Sequence, residues 1–418
     1  MRDGSTMKLK DLCDFVADQV DPSDRGEDVY VGLEHVTSGR FERIGAGRAE
    51  DVRSSKYLFK PNDVLYGKLR PYLDKAVLAP DTGICTTELL VLRPRSDVDP
   101  RFLVGLVHSP SFVEHAVAGT TGVQHPRTSW HHISEYELPD FDPEEQSDIA
   151  DLLWEIHDAI TANETLIETG LEAKRAAMRT LFTRGLRGEA QKDSEIGLVP
   201  ESWVPTIVAK IGTVKGGKRM PKGISLVQED TGRPYIRVTD FKDHRVRDEG
   251  ILFVPRGYEE VIRRYRISAR DVYISIAGTI GLVGQVPQHL DDANLTENAA
   301  KIVFERDDLV PRYVMYALAG QTCQEQIERA TAKNAQPKLA LTRIEQILVP
   351  LPQAFDEQSE IVAILDAIDR KIDLHRRKRA VLDDLFKALL HKLMTGEIRV
   401  ADLDLSALAP NPSAELAA

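Results

Sequence analysis

The most suggestive chemical motif in the chain is a glycine- and lysine-rich segment that nearly spells a phosphate-binding loop. Gly212–Lys218 reads Gly-Thr-Val-Lys-Gly-Gly-Lys, but Arg219 follows where a nucleotide-binding loop needs Ser or Thr to hold Mg²⁺. The segment also runs on to Pro221 instead of entering a helix. We therefore expect a basic loop that contacts nucleic-acid phosphates through residues such as Lys215 and Lys218, with an ordinary solvated loop as the alternative.

No other grouping in the sequence is typical of catalysis or metal binding. His125, His131 and His132 lack a plausible set of metal partners, and the three cysteines are scattered without metal-site spacing. Neither a Ser–His–Asp set, nor paired carboxylates, nor an Asn-Pro-Pro-Tyr-like methyl-transfer motif stands out. The sequence thus favours a recognition protein that has no catalytic residues, binds no metal and carries no cofactor of its own.

Polar and aromatic residues that suit nucleic-acid contact cluster at segment edges in both halves of the chain. Arg, Lys, Asn, Gln and Thr can pair with base edges, and Arg, Lys and Thr can hold phosphates. Ordinary turns and caps are the alternative explanation for any single one of them. The predicted DNA-binding residues are Lys68, Arg70, Tyr72, Thr121, Gln124, Arg127, Lys215, Lys218, Arg219, Arg237, Thr239, Lys333, Asn334, Gln336 and Lys338.

The elements that must position these residues occur twice, because the sequence repeats itself at an offset of about 212 residues. Glu145–Leu153 reads Glu-Gln-Ser-Asp-Ile-Ala-Asp-Leu-Leu, and Glu357–Leu365 reads Glu-Gln-Ser-Glu-Ile-Val-Ala-Ile-Leu. Thr87-Glu88 likewise matches Thr296-Glu297 at nearly the same offset. Colinear matches over most of a half-chain indicate a duplicated unit, which suits a target with two related halves.

Each half is predicted to be a mixed globular segment followed by a long helix, from about Pro143 to Arg184 and from about Asp356 to Thr395. Apolar residues spaced alternately by four and three form a heptad seam, and Asn163 and His375 occupy equivalent polar positions in it. The predicted seam residues are Ile149, Leu153, Ile156, Ile160, Asn163, Ile361, Leu365, Ile368, Ile372 and His375.

Charge predicts the direction in which the two helices pair. Each helix is acidic in its first half and basic in its second, so antiparallel packing sets unlike charges together and brings Asn163 near His375. Parallel packing would set like against like, although each helix could merely be satisfying its own macrodipole. At 1.5 Å per residue, about 40 residues make a rod of roughly 60 Å, with a globular head expected at either end.

Composition is that of a soluble protein of several domains. The chain has 418 residues, 42% hydrophobic content and no apolar run that could span a bilayer. Its three unpatterned cysteines favour a reducing compartment, and we expect a cytoplasmic protein without membrane partners. The net charge of −12 argues weakly against DNA binding, but nine acidic residues are concentrated between positions 142 and 168.

The chain resembles the specificity subunit of a type I restriction–modification system over almost its whole length. The matching segments are Asp63–Tyr72, Cys85–Pro94, Leu138-Pro139 with Glu145-Gln146, Ile196–Trp203, Leu351-Pro352 with Glu357-Gln358, and Leu393–Val400. Together they are specific, although each alone is weak. The second half departs at Ser275–Gly278, where the first has Gly67–Arg70, so contact residues cannot be copied from one half to the other.

This resemblance implies an α+β protein in which two target-recognition domains are separated by two long helices that form an antiparallel coiled coil, with pseudo-two-fold internal repetition. It implies that the target is double-stranded DNA and that the partners are two methyltransferase subunits. Restriction subunits would be further partners where a nuclease exists. S-adenosylmethionine, and ATP with Mg²⁺, would then bind those partners and not this chain. The predicted segments are 1–140 and 191–352 (recognition domains), 141–190 and 353–400 (spacer helices), and 401–418 (disordered tail).

The sequence thus predicts a non-catalytic subunit that recognises a bipartite DNA site. Two alternatives remain: a fused restriction–methylation enzyme, against which the missing motifs count, and a coiled-coil scaffold that binds only proteins.

Overall fold

The computed structural model describes residues 5–331 and 337–404, which divide into two structural units. The first comprises Met1–Leu166 with His375–Ala418, and the second comprises Ile167–Leu374. Each unit holds one globular head, residues 5–142 in the first and 185–354 in the second, together with half of each long helix. The two heads and two helices follow one another in the sequence, but each packed unit contains one head and parts of both helices.

Three sheets, one of which has only two strands, and four short helices form the first head. The four-stranded antiparallel sheet has the order Cys13–Val16, Leu89–Pro94, Val64–Gly67 and Ala76–Leu78. The five-stranded sheet has the order Gln19–Val20, Lys56–Phe59, Gly83–Cys85, Val29–Val31 and Gly47–Arg48, with its third and fourth strands parallel. A separate antiparallel pair joins Thr6–Lys8 and Glu137–Pro139. The short helices are Leu9–Leu12, Pro100–His108, Pro110–Ala118 and Trp130–Ile133.

The second head repeats this plan. Its four-stranded antiparallel sheet has the order Thr213–Gly216, Ala299–Val303, Val272–Ser275 and Val283–Gln285. A mixed sheet has the order Leu252–Phe253, Pro234–Ile236, Ala293–Leu295 and Arg266–Ile267. Two-stranded pairs join Gln191–Lys192 to Val199–Pro200, Val204–Ile207 to Leu348–Leu351, and Phe241–Lys242 to Arg245–Val246. The short helices are Val208–Ile211, Pro311–Ala319, Gln321–Thr331 and Leu341–Glu345.

The strand orders of the two heads correspond, which confirms the internal repeat. In both heads the four-stranded sheet is entirely antiparallel, and the other sheet contains one parallel pair at the same place, Val29–Val31 with Gly83–Cys85 and Pro234–Ile236 with Ala293–Leu295. The first head adds one edge strand, Gln19–Val20, which has no counterpart among the described residues of the second head.

Alternating side chains explain why the central strands are apolar along their whole length. In the first head, Leu90 and Leu92 belong to a core shared with the helices, whereas Leu89 and Val91 belong to a core shared with the other sheet. Successive residues of a strand point to opposite faces, so a sheet covered on both faces needs a continuous apolar run. Each head therefore stacks helices, the four-stranded sheet and the second sheet as three layers.

The two long helices span Pro143–Arg184 and Phe355–Met394, within a residue of their predicted bounds. The first begins at a capping interaction, in which the Asp142 carboxylate accepts a hydrogen bond from Glu145 N–H at 2.9 Å. Pro143 is compatible with the first turn because it needs no backbone donor there.

Within the first unit the two helices run antiparallel. Glu145 lies 3.7 Å from Arg399 and Glu164 lies 3.6 Å from Arg379, so partner numbers rise as first-helix numbers fall. Asn163 Oδ1 lies 2.9 Å from His375 Nδ1, as predicted from the seam. The buried seam residues of this unit, which share one core with Phe386, Leu390 and Leu393, are Ile149, Leu153, Ile156 and Ile160.

The same direction holds within the second unit. Lys174 Nζ lies 2.7 Å from Asp369, and Leu186 N–H donates to the Glu357 carboxylate at 3.3 Å. Gly170 allows close approach, because a Cβ there would lie 2.8 Å from Ile372 Cγ1. Of the seam residues in this unit, Ile361, Leu365 and Ile372 are buried and Ile368 is half-buried. The antiparallel pairing predicted from charge is confirmed.

The C-terminal segment beyond the second long helix is partly ordered. Val400–Asp402 forms a 3₁₀ turn, and Leu403 packs against the first core, so the predicted disordered tail is wrong for its first residues. Residues 405–418 lie outside the described residues. No helix in the described part of the chain is both long and apolar enough to cross a lipid bilayer.

Candidate nucleic-acid interface

Two loops of the first head, residues 68–74 and 119–129, are joined by backbone hydrogen bonds. Thr128 N–H donates to the carbonyl oxygen of Lys68 at 3.0 Å, and Arg70 N–H donates to that of Pro126 at 2.7 Å. Thr121 and Arg127 exchange two backbone hydrogen bonds of 3.0 Å each. The structure therefore brings the predicted residues of the first head together on one surface. These are Lys68, Arg70, Tyr72, Thr121, Gln124 and Arg127.

Arg70 occupies a backbone conformation that non-glycine residues rarely adopt. Its φ is 52°, in the left-handed region, and its side chain donates to the Gln124 carbonyl oxygen at 3.4 Å. In the second head, Ile276 corresponds to Lys68, because its carbonyl oxygen accepts a hydrogen bond from Leu339 N–H as that of Lys68 does from Thr128 N–H. The residue that corresponds to Arg70, two positions later, is therefore Gly278, with φ 73°. An arginine held where glycine is the unstrained choice points to a role for its side chain.

Arg127 is held by a carboxylate from another loop. Its Nε lies 2.9 Å from Glu88 Oε2, its Nη2 lies 3.1 Å from Glu88 Oε1, and its Nη1 donates to the His125 carbonyl oxygen at 3.3 Å. The hydrogen bonds to Glu88 raise the pKa of Arg127 above its ordinary value, so the guanidinium stays charged. Tyr72, at 55% exposure, and Gln124 stand open to solvent nearby.

In the second head the glycine-rich loop lies against the edge of the sheet and is not followed by a helix. Gly217 is required there, because a Cβ would lie 2.0 Å from the Thr296 carbonyl oxygen. Lys218 N–H donates to the Leu295 carbonyl oxygen at 2.9 Å, and the Lys218 carbonyl oxygen accepts from Tyr235 OH at 2.7 Å. Burial raises the pKa of Tyr235 to about 12, so it remains a donor. The N–H groups of Gly217 and Lys218 thus donate to carbonyl oxygens of the protein, and phosphate contact by this loop stays a prediction.

Arg219, on the same loop, is also held by a carboxylate. Its Nε donates to Glu297 Oε1 at 2.5 Å, while 77% of its side chain is exposed. Burial alone would raise the pKa of Glu297, but hydrogen bonds from Arg219 and Thr296 outweigh it and lower the pKa. Glu88 and Glu297 lie in the polar edge segments of the sequence but are not among the predicted DNA-binding residues. Their occurrence in both repeats as Thr-Glu was the available signal.

The two Thr-Glu pairs are not structurally equivalent, although the sequence aligns them. Thr86 and Thr296 make the same backbone bonds: each donates to the neighbouring parallel strand and accepts from Leu89 and Ala299, respectively. Glu297 therefore corresponds to Thr87, one position before Glu88. This shift explains why the carboxylates hold arginines from different loops.

Arg237 is also paired with a carboxylate, as Arg127 and Arg219 are, but its partner Asp240 is buried and only three residues away. Nε and Nη2 bond to the buried Asp240 carboxylate at 3.1 and 2.7 Å, and Nη2 also donates to the Gly250 carbonyl oxygen at 3.1 Å. Thr239 Oγ1 lies 3.4 Å from the same carboxylate. This arrangement supports a structural role for Arg237, and DNA contact by either residue stays a prediction.

The remaining predicted residues are placed less informatively. Lys215 is exposed on the strand Thr213–Gly216, and Lys338 is exposed beside Leu339, whose N–H donates to the Ile276 carbonyl oxygen at 3.0 Å. Lys333, Asn334 and Gln336 lie outside the described residues. Among residues 5–331 and 337–404, no group of three or more His, Cys, Asp or Glu side chains is arranged to hold a metal ion.

Comparison with known proteins finds similar proteins that are named as specificity subunits. Residues 200–384 match the family model described as the type I restriction modification DNA specificity domain. The type I restriction enzyme MjaVIII specificity subunit of Methanocaldococcus jannaschii is 23% identical over 330 residues, which cover 77% of this chain and 76% of that protein. The chain is thus similar to type I restriction–modification specificity subunits in both sequence comparisons.

Further similarities extend over nearly the full length of the chain. The putative MjaX specificity subunit of the same organism is 23% identical over 417 residues, covering 95% of this chain and 94% of that one. The solved type I restriction–modification S subunit from M. genitalium has a TM-score of 0.60 at 16% identity, with 93% of this chain and 96% of that chain covered. A chain solved in a type I R-M system has a TM-score of 0.58 at 19% identity, with 94% and 98% covered. The structural matches support the two-headed α+β fold.

Proposed function

We propose that this chain is the DNA-recognition subunit of a type I restriction–modification complex and that each head recognises one half of a bipartite site on double-stranded DNA. The observation that carries the proposal is the repetition of one strand topology in both heads, each with a polar loop surface at its sheet edges. The family match and the named specificity subunits support it.

In this proposal the chain contributes recognition and its partners contribute chemistry. The long helices carry exposed apolar side chains outside the seam, which support docking of methyltransferase subunits, two in number, and of restriction subunits where a nuclease exists. S-adenosylmethionine, and ATP with Mg²⁺, would bind those partners. The exposed apolar residues of the helices are Leu166, Phe355, Ile364, Leu374 and Val381.

Methylome sequencing tests this function. A host with the gene should carry a methylated motif made of two defined half-sequences and an undefined gap, and deletion of the gene should abolish that motif alone. An unchanged methylome, with the methyltransferase genes intact and expressed, would refute the proposed function.

A further inference from the structure

The contact surface of each head contains an arginine whose hydrogen bonds are partly used by a carboxylate. Arg127 pairs with Glu88 in the first head and Arg219 pairs with Glu297 in the second. Each arginine remains substantially exposed, at 43% and 77% of its side chain. The hydrogen bonds that remain available therefore decide what these side chains can bind.

The five N–H groups of Arg127 can be assigned one by one. Nε–H and one Nη2–H face the two oxygens of Glu88, and one Nη1–H faces the carbonyl oxygen of His125. One hydrogen is left on each terminal nitrogen. Because the guanidinium is planar, these two hydrogens lie side by side and form a fork of two parallel donors when His125 takes the Nη1 hydrogen on the Cδ side.

The carboxylate also selects the kind of acceptor this fork can take. A phosphate brings negative charge next to Glu88, so repulsion opposes the pairing. The major-groove edge of guanine offers two neutral acceptors, N7 and O6, at the spacing of the guanidinium fork. The Glu88–Arg127 pair therefore favours a guanine edge over the backbone.

In the second head the carboxylate itself is fixed by hydroxyl groups. Glu297 Oε2 accepts from Thr296 Oγ1 at 3.0 Å and lies 3.5 Å from Tyr235 OH, while Oε1 accepts from Arg219 Nε at 2.5 Å. Lys218, one residue before Arg219, has no fork and is suited to a phosphate as a point charge. Adjacent residues of this loop thus differ in the acceptor they suit.

We propose that Arg127 and Arg219 are the guanine-reading residues of the first and second heads, and that Glu88 and Glu297 are positioning residues that direct them to bases and away from phosphates. This inference rests on the proposed function and deepens it by naming one specificity-determining pair in each head. The pairs come from different loops, because Glu297 is shifted by one residue relative to Glu88.

The test uses the assembled methyltransferase complex carrying Glu88→Gln. Glutamine has nearly the shape of glutamate but lacks the charge that holds Arg127 and repels phosphate. One guanine position in the first half-sequence should become degenerate, with discrimination at that position reduced about 5- to 150-fold. The second half-sequence should not change. Glu297→Gln should do the reverse.

The salt dependence of DNA binding is a second measurement, and it would not change if Glu88 had only a structural role. With the carboxylate gone, Arg127 can pair with a phosphate, so the slope of log affinity against log salt concentration should steepen by about 0.9. Affinity for non-cognate DNA should rise accordingly. Arg127→Lys, which keeps the charge but loses the fork, should relax the same guanine position as Glu88→Gln.

Glu135→Gln is the matched control in the first head. It makes the same change in charge, but Glu135 pairs with Lys8 and Lys10 at 2.8 and 2.6 Å, and we expect no change in motif or salt slope. An unchanged motif and slope in Glu88→Gln would overturn the inference, as would a uniform loss of affinity for all sequences. A wild-type complex without any selective methylation would overturn the proposed function as well, so the two failures are distinguishable.

Discussion

A buried histidine should make the first unit less stable in mild acid. His157, on the first long helix, is 2% exposed, and its ring stacks on Phe41 with the centroids 4.8 Å apart. Its Nε2 accepts a hydrogen bond from Phe41 N–H at 3.3 Å. Burial, together with nearby Arg40, lowers the pKa of His157 to about 4, while Asp158 opposes the shift.

The sign and size of the effect follow from proton linkage. Below the ordinary histidine pKa of about 6.5 the unfolded chain takes up a proton at this residue, whereas the folded chain stays neutral down to about pH 4. Stability therefore falls as pH falls through this window. At about 1.4 kcal/mol per pH unit, His157 accounts for a loss of about 2 kcal/mol between pH 7.5 and 5.0.

Denaturant unfolding of the wild type and of His157→Gln at both pH values measures this contribution. Glutamine can accept from Phe41 N–H but does not titrate, so the variant should lose about 2 kcal/mol less on acidification. Exposed His131→Gln is the control and should follow the wild type. An equal loss of unfolding free energy in His157→Gln and wild type would show that His157 is not the source of the acid sensitivity.

Three further changes test the helices and the contact surface. Asp369→Asn leaves Lys174 buried without its charged partner, so the free energy of unfolding in urea should fall by about 3–5 kcal/mol. The double variant Lys174→Met with Asp369→Leu should have nearly the wild-type value. Equal losses of unfolding free energy in the two variants would contradict this. Arg70→Gly should relieve roughly 1 kcal/mol of backbone strain in the same assay yet weaken discrimination in the first half-sequence in competition binding; unaltered discrimination would remove Arg70 from the contact surface. Four residues added after both Leu166 and Leu374 should lengthen each helix by about 6 Å and widen the methylated motif's gap by one or two base pairs; an unchanged gap at normal activity would contradict this.

The long helices and their direction could be predicted because both signals are long-range along the sequence and redundant. The heptad spacing continues over about 40 residues, so single deviations such as half-buried Ile368 do not obscure it. The charge blocks then decide the direction, as the Glu164–Arg379 and Lys174–Asp369 pairs show. The internal repeat could also be predicted, and the strand orders of the two heads correspond.

The partners of the loop residues could not be predicted, because they come from segments that are distant in sequence. The identical letters Thr-Glu suggest equivalent positions, but the connection between the paired strands is two residues longer in the second head, counted from Gly67 to Leu89 and from Ser275 to Ala299. A difference in loop length produces no periodic pattern in the sequence by which it could be recognised. Arg237 is an exception, because its partner Asp240 is only three residues away, and DNA contact by Arg237 stays a prediction.

The most direct test of the central claim, that each head reads one half-sequence independently, is the methylome of a head-exchange chain. Residues 1–140, which end just before the Asp142 helix cap, are replaced by the corresponding head of another family member, and the complex is expressed with its own methyltransferase. We expect a new first half-sequence beside the original second half-sequence. A motif in which both halves change, or in which the original first half persists, would contradict it.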